Sequence, residues 1–259
     1  PDLQEPHGLT FLDSDTLIVA NRAGTLPLFR LPPQGSASGS ITLHAEPTAG
    51  DTAFRDVVSP GSVAATPVGR DCYQVFVCNN FAHRVTRHRL KWARSPKIRK
   101  NKVLIAAGLS IPDGIAVSPS ERWIAISNHT TGSVLIYRNN RALGPETLPV
   151  GRLEDAGYPH GVRFTRDGQF IFVADAGTPV VNVYLGIGGD WRGTRKPIHS
   201  IRVLTDEAYL RGHVNPEEGG PKGIDIDGGG RVLATTCEEQ PLAFFDLRAT
   251  LNAIARRTA

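Results

Sequence analysis

Methionine is absent from the 259 residues, cysteine occurs three times, and aromatic residues make up 7%. Cys72, Cys78 and Cys237 are too few and too scattered for a disulfide scaffold or a cysteine zinc site. No apolar run approaches the ~18–20 residues of a membrane-spanning helix, so no transmembrane segment is expected and the chain reads as soluble. Also missing are a P-loop, a dinucleotide-binding glycine fingerprint and a serine nucleophile elbow. Amphipathic helices are lacking too, except for one candidate at 248–257, which argues against folds that alternate strand and helix. The chain starts at Pro1, a start compatible with a removed targeting segment, so the compartment cannot be read from it.

What is abundant is glycine, with 27 residues, and proline, with 19, the composition of many turns between short strands. Hydrophobic residues at 40% and charged residues at 21% suit an ordinary globular core, and the length suits one domain over 1–259. The net charge is +4.

A repeat organises the chain. Pro6-His7-Gly8 returns as Pro60-Gly61-Ser62, Pro112-Asp113-Gly114, Pro159-His160-Gly161 and Pro221-Lys222-Gly223, at spacings of 54, 52, 47 and 62. Each copy continues into a short alternating strand, a turn, and a more apolar strand (17–20, 75–78, 123–127, 170–174, 232–235). A polar loop and a third strand follow, and weaker fourth strands are expected at 40–44, 102–106 and 198–204. Four antiparallel strands every ~40–50 residues is the arithmetic of a β-propeller blade. The expectation is an all-β propeller of five blades, with six as the alternative, and a short C-terminal helix. The stretch from Arg202 to Gly220 reads as an insertion.

The motifs Pro-His-Gly, Pro-Asp-Gly-Ile-Ala-Val-Ser-Pro (112–119) and Phe-Ile-Phe-Val-Ala-Asp-Ala-Gly (170–177) resemble those of the gluconolactonase/regucalcin, NHL and YVTN propeller families. The resemblance spans nearly the whole chain and is specific for fold, since these families include lactonases, lyases, receptors and scaffolds. In gluconolactonase-like propellers the residue between proline and glycine ligates a divalent cation in the central channel. Carried over, that implies His7, Asp113 and His160 as metal ligands, with Gly61 and Lys222 in the other two slots. The lactonase pattern uses Glu, Asn and Asp. A set with two histidines moves the expected ion from calcium toward zinc, iron or manganese.

The polar loop after each second strand carries Asn21, Asn79, Asn128-His129, Asp175 and Glu238. His7 to Asn21 is 14 residues, and Asp113 to Asn128 and His160 to Asp175 are both 15, which would set a second polar ring at the same opening. Such residues serve equally as tight-turn formers, so a substrate-binding rim and turn chemistry are both open.

Two functions follow. One is a metal-dependent, lactonase-like hydrolase of a small oxygen-rich ligand, with Asp175 as general base and Lys222 stabilising an oxyanion. The other is a non-enzymatic binder or scaffold that holds such a ligand or a protein partner at the channel mouth. If Lys222 stands near the ligands, its ammonium needs Glu217, Glu218 or Glu238 as a buffer. Between Cys72 and Pro112 there is no acidic residue, while 84–102 holds nine arginines and lysines. A solvated sheet edge is the favoured reading of such a run over binding of nucleic acid, anionic glycan or lipid, and nucleic acid is not the expected partner, because aromatic interleaving is missing.

Overall fold

Each repeat folds into one antiparallel sheet, in the computed structural model that describes residues 3–32, 43–46, 54–92 and 96–258. The first sheet is β1 (Pro6–Phe11), β2 (Thr16–Asn21), β3 (Leu28–Arg30) and β4 (Ala45–Glu46). The second is β5 (Pro60–Gly69), β6 (Cys72–Asn79), β7 (Arg84–Lys91) and β8 (Lys97–Ile105). The third holds β9 (Pro112–Val117), β10 (Trp123–Asn128), β11 (Ser133–Arg138) and β12 (Gly151–Leu153). The fourth holds β13 (Pro159–Phe164), β14 (Phe170–Asp175), β15 (Val180–Leu185) and, numbered out of turn, β17 (His199–Arg202). The fifth has three strands, β18 (Gly223–Ile226), β19 (Val232–Thr236) and β20 (Ala243–Asp246), followed by helix α2 (Leu247–Thr258). The fold is a five-bladed β-propeller with a short C-terminal helix.

Three details correct the expected outline. The first blade's outer strand lies at Ala45–Glu46 rather than 40–44, and residues 40–42 lie outside the described residues. The insertion contains a second helix, α1 (Asp206–Arg211), capped by the Thr205 hydroxyl, which accepts from the Ala208 amide. The third sheet has a fifth strand: β16 (Gly193–Arg195), from the loop after β15, pairs in parallel with β12.

The chain divides into two units, Pro1–Pro112 with Ala142–Thr147, and Asp113–Arg141 with Leu148–Ala259. The core of the first joins β2 and β6 through Ile18, Ala20, Val75 and Val77, closed by Leu90, Trp92 and Ile98. In the second, Trp123, Ile136, Phe164, Ile171 and Trp191 pack between the third and fourth sheets. Phe172, Val183, Leu233, Leu247 and Ile254 continue that core toward α2. All six residues of β10 are buried, as a strand covered on both faces should be.

The Pro-x-Gly repeat has a steric cause. A Cβ on Gly8 would lie 2.8 Å from the Gly61 carbonyl oxygen. In the second unit, a Cβ on Gly114 would lie 2.1 Å from the His160 oxygen, and one on Gly161 2.7 Å from the Lys222 oxygen. The Gly161 amide donates to that Lys222 oxygen at 2.9 Å. At these three places the first strands of neighbouring blades meet backbone to backbone, and only glycine fits between them, whereas Ser62 fills the slot in the second blade and Gly223 faces Thr236 of its own blade.

Gly114→Ala should therefore destabilise the protein by about 1–3 kcal/mol or more, because backbone rather than a flexible side chain blocks the new methyl group. Gly228→Ala, in an open turn with nothing within 4 Å of the added carbon, should stay within about 0.5 kcal/mol of the parent. Urea unfolding of the two variants checks this, and equal losses would contradict it.

Candidate functional site

The loop residues at the ends of the second strands divide by role. Asn21 Oδ1 accepts from the Gln4 amide at 2.7 Å, and Asn79 Oδ1 from the Val58 amide at 2.7 Å. Both donors stand two residues before the repeat proline. Asp175 does the same in the fourth blade, accepting from the Gly157 and Tyr158 amides at 2.8 Å each. It also accepts from the Gly177 amide at 3.1 Å and from Asn182 Nδ2 at 3.2 Å, so each of its oxygens carries two donors. Asn128 is buried and its Nδ2 donates to Thr131 Oγ1 at 2.8 Å. In these blades the near-constant interval from the Pro-x-Gly motif reflects a buried tie that fastens the entering chain to the second strand.

His7 belongs to the first unit, exposed on β1, with its Nδ1 2.7 Å from the Gly61 oxygen. Asp113, His129, His160, Lys222 and Glu238 all belong to the second. Asp113 leads in β9 and His160 leads in β13, each directly after its proline. His160 Nδ1 lies 2.7 Å from Asp113 Oδ2, and both side chains are almost fully buried. His129 opens a short 3-10 turn after β10, and its Nε2 stands 3.5 Å from the same carboxylate oxygen. Its ring packs against Tyr158, at a centroid distance of 4.4 Å, and against His160, at 4.3 Å, with those two rings 5.8 Å from each other.

The far side of His160 is met by Glu218, whose Oε1 is 3.4 Å from Nε2. Glu218 comes from the insertion, whose closing Gly219 and Gly220 amides donate to the Ala176 oxygen at 2.9 and 2.8 Å. Glu218 Oε2 in turn lies 2.8 Å from Lys222 Nζ, and the half-exposed Glu238 lies 2.9 Å from that ammonium on its other side. The buffering expected for Lys222 is thus supplied by Glu218 and Glu238. The sequence signal for Glu218 was the break in repeat spacing. Nothing in the pattern singled out Tyr158.

The charges alternate along this chain of side chains. Burial alone would pull the His160 imidazole down, but Asp113 and Glu218 outweigh it and push its pKa up to about 9. Burial raises Glu218, yet hydrogen bonds from His160 and Lys222 hold it well below the ordinary carboxylate range. Lys222 is raised, because Glu218 and Glu238 outweigh its desolvation. His129 goes the other way: burial, reinforced by the His160 charge, lowers it despite Asp113, so it is neutral.

The ligand atoms of His129, His160 and Glu218 all lie within 4.8 Å of one another. Two imidazole nitrogens and a carboxylate oxygen are a donor set for zinc, manganese or iron rather than for calcium. Asp113 bonded to Nδ1 fixes the His160 ring with Nε2 toward that set, the arrangement in which a carboxylate orients a ligating histidine.

No family model and no curated protein sequence matches the chain. Solved propellers match its fold. A protein from Bacteroides uniformis described as a candidate 6-phosphogluconolactonase aligns at 14% identity and a TM-score of 0.59, over 92% of this chain and 65% of its own. A protein of the same description from Bacteroides fragilis aligns at 14% identity and a TM-score of 0.59, over 96% of this chain and 69% of its own. A nidogen/laminin complex contains a chain that aligns at 16% identity and a TM-score of 0.60, over 95% and 77%. The chain thus spans about two thirds of the two lactonase-type proteins. Among the described residues, no helix is long and apolar enough to cross a membrane.

Two outcomes are expected. Asn79→Ala removes the acceptor of the Val58 amide and should cost about 1–3 kcal/mol in chemical unfolding. The second concerns pH. His160 binds its proton more tightly folded than unfolded, so its contribution to stability is complete below its ordinary pKa of 6.5 and is lost as pH rises through about 9. Thermal unfolding in chelator-treated protein should show that loss between pH 7 and 10, and His160→Gln should flatten it. An identical pH profile for the two proteins would contradict the assignment.

Proposed function

We propose that the chain is a metal-dependent hydrolase of a small oxygen-rich substrate, lactonase-like in reaction, with its metal held by His129, His160 and Glu218. The convergence of three ligand atoms within 4.8 Å, around a histidine already oriented by a buried carboxylate, carries this reading. Asp113 is then a positioning residue. When bound, such an ion supplies Lewis-acid chemistry for ester hydrolysis.

The chain's own side chains do the rest. Asp113 keeps the His160 proton on Nδ1 and its Nε2 lone pair aimed at the ligand set. His129, neutral through burial, offers its imidazole without first losing a proton. Lys222 carries the positive charge that a developing oxyanion requires. Its link to the half-exposed Glu238 is the one a substrate carbonyl can displace, while Glu218 keeps it in place. Asp175, with four donors on its carboxylate, holds the loop that carries Tyr158 and takes no proton in this scheme.

A second reading has an observation in its favour. With His160 protonated between Asp113 and Glu218, and Lys222 between Glu218 and Glu238, each cation of the cluster already lies between two carboxylates. A propeller that binds a polar ligand through these groups, without chemistry on it, is consistent with that pairing.

Reconstitution of chelator-treated protein with zinc, manganese, iron(II) and calcium separates the two. One equivalent of a transition metal should bind more tightly than calcium and increasingly so as pH approaches 9, because the His160 proton must leave. His160→Ala should abolish binding, and Asp113→Asn should weaken it roughly 10–100-fold. Hydrolysis of a lactone panel should follow metal occupancy. A parent protein that takes up none of the four metals at any pH would leave the binding reading alone.

A further inference from the structure

The second sheet pairs cation against cation. Across β7 and β8 the register sets Arg87 opposite Lys102, Arg89 opposite Arg99 and Lys91 opposite Lys97. Like charges directly opposite one another oppose strand pairing, and three pairs on one hairpin recur by no ordinary packing need. A register shift between the first two pairs bulges β8, where Lys100 takes a left-handed backbone at φ 53°. Such bulges re-aim side chains. Here, Arg87, Arg89, Lys100 and Lys102, with Gln74, Val68 and His88, line a cavity of about 270 Å³. That is near the lower end of small-molecule pockets, ~300 Å³.

Among the described residues, none of the four cations forms an ion pair, and Lys102 Nζ reaches only the Leu143 carbonyl at 3.4 Å. His88 is buried and neutral, its pKa lowered to about 4 by desolvation, and its ring is held by Asn101 at 2.5 Å and Thr86 at 2.9 Å. It forms a fixed polar wall. The Lys102 ammonium is lowered by burial and by the charge of Arg87. An anion in the cavity would relieve both the cross-strand repulsion and that lowering.

We propose that this cavity binds a small, multiply charged oxyanion of the phosphate- or sulfate-ester class, at a site independent of the histidine cluster. Arg89 offers a planar fork that matches such oxygens, Arg87, whose Nε and Nη1 donate to the Gln74 side-chain oxygen at 3.1 and 3.2 Å, adds its charge and remaining donors, and the two lysines add point charge. A nucleic acid strand fits less well, because stacking needs an exposed ring. The neighbouring Trp92 is buried under Arg30, whose Cζ sits 4.9 Å from its ring centre.

Calorimetric titration with inorganic pyrophosphate, with a sulfated heparin disaccharide, and with a single-stranded oligonucleotide tests this, each against sodium chloride at matched ionic strength. One of the first two should bind with one-to-one stoichiometry, and whichever binds more tightly identifies the ester class. The double variant Arg89→Gln/Lys100→Gln alters only exposed positions and should weaken that binding roughly tenfold or more. In the parent protein, the bound anion should shield Lys100 and Lys102 from acetylation, a readout that holds even if the variant folds poorly. Heats no larger than those of sodium chloride, undiminished binding by a folded variant, or binding of the oligonucleotide alone would overturn the proposal.

Discussion

Backbone meeting backbone between the first strands of consecutive blades is the contact on which the rest depends. At Gly114 and Gly161 the neighbouring carbonyl stands where a Cβ would be, so every side chain on these strands is positioned by an approach that tolerates almost no slack. The residue before each of these glycines inherits that precision. Asp113 and His160 come within 2.7 Å because β9 and β13 are held this closely, and Lys222 is placed by the Gly161 amide on its own carbonyl. The proline on the other side of each residue fixes φ as the strand begins. Motif and site are therefore one geometric device.

The buried cluster illustrates how ionisable groups survive away from water. Each charge in the sequence Asp113, His160, Glu218, Lys222, Glu238 is flanked by its opposite. Removing His160 takes the nearest cation from the buried Asp113 carboxylate, whereas Glu238, half open to solvent, loses less with Lys222. The insertion is what completes the alternation, since Glu218 is the anion shared by His160 and Lys222.

Much of this architecture can be read from residues alone. The glycine and proline spacing predicts five blades, and the apolar runs mark the second strands to within a few residues, because buried second strands such as β10 and β14 are apolar along most of their length. The regular Asn and Asp positions were equally visible, but their pattern could not distinguish a rim from a tie. A side chain at that position can face an opening or turn back to an amide, and Asn21, Asn79 and Asp175 turn back. The partners of His160 were partly hidden for a different reason. Glu218 sits in the one stretch where the repeat breaks, and periodicity says nothing about a residue outside the period. β16 was unreadable in the same way: three residues, two of them exposed, pair in parallel with a strand some 40 positions earlier.

That short strand ties the making of one blade to the next. Gly193 donates to the Val150 oxygen at 2.9 Å, and Glu154 to the Arg195 oxygen at 2.9 Å. Between β15 and β16 the same segment buries Trp191 in the core shared by the third and fourth sheets. On a ribosome the third blade's own strands are complete once β12 has emerged, yet its outer edge stays open and its core lacks an indole until residues 191–195 follow. An open edge is a template for wrong partners. The nascent chain therefore carries an unsealed blade through the synthesis of most of the next one, and the third blade gains its last strand before β17 completes the fourth.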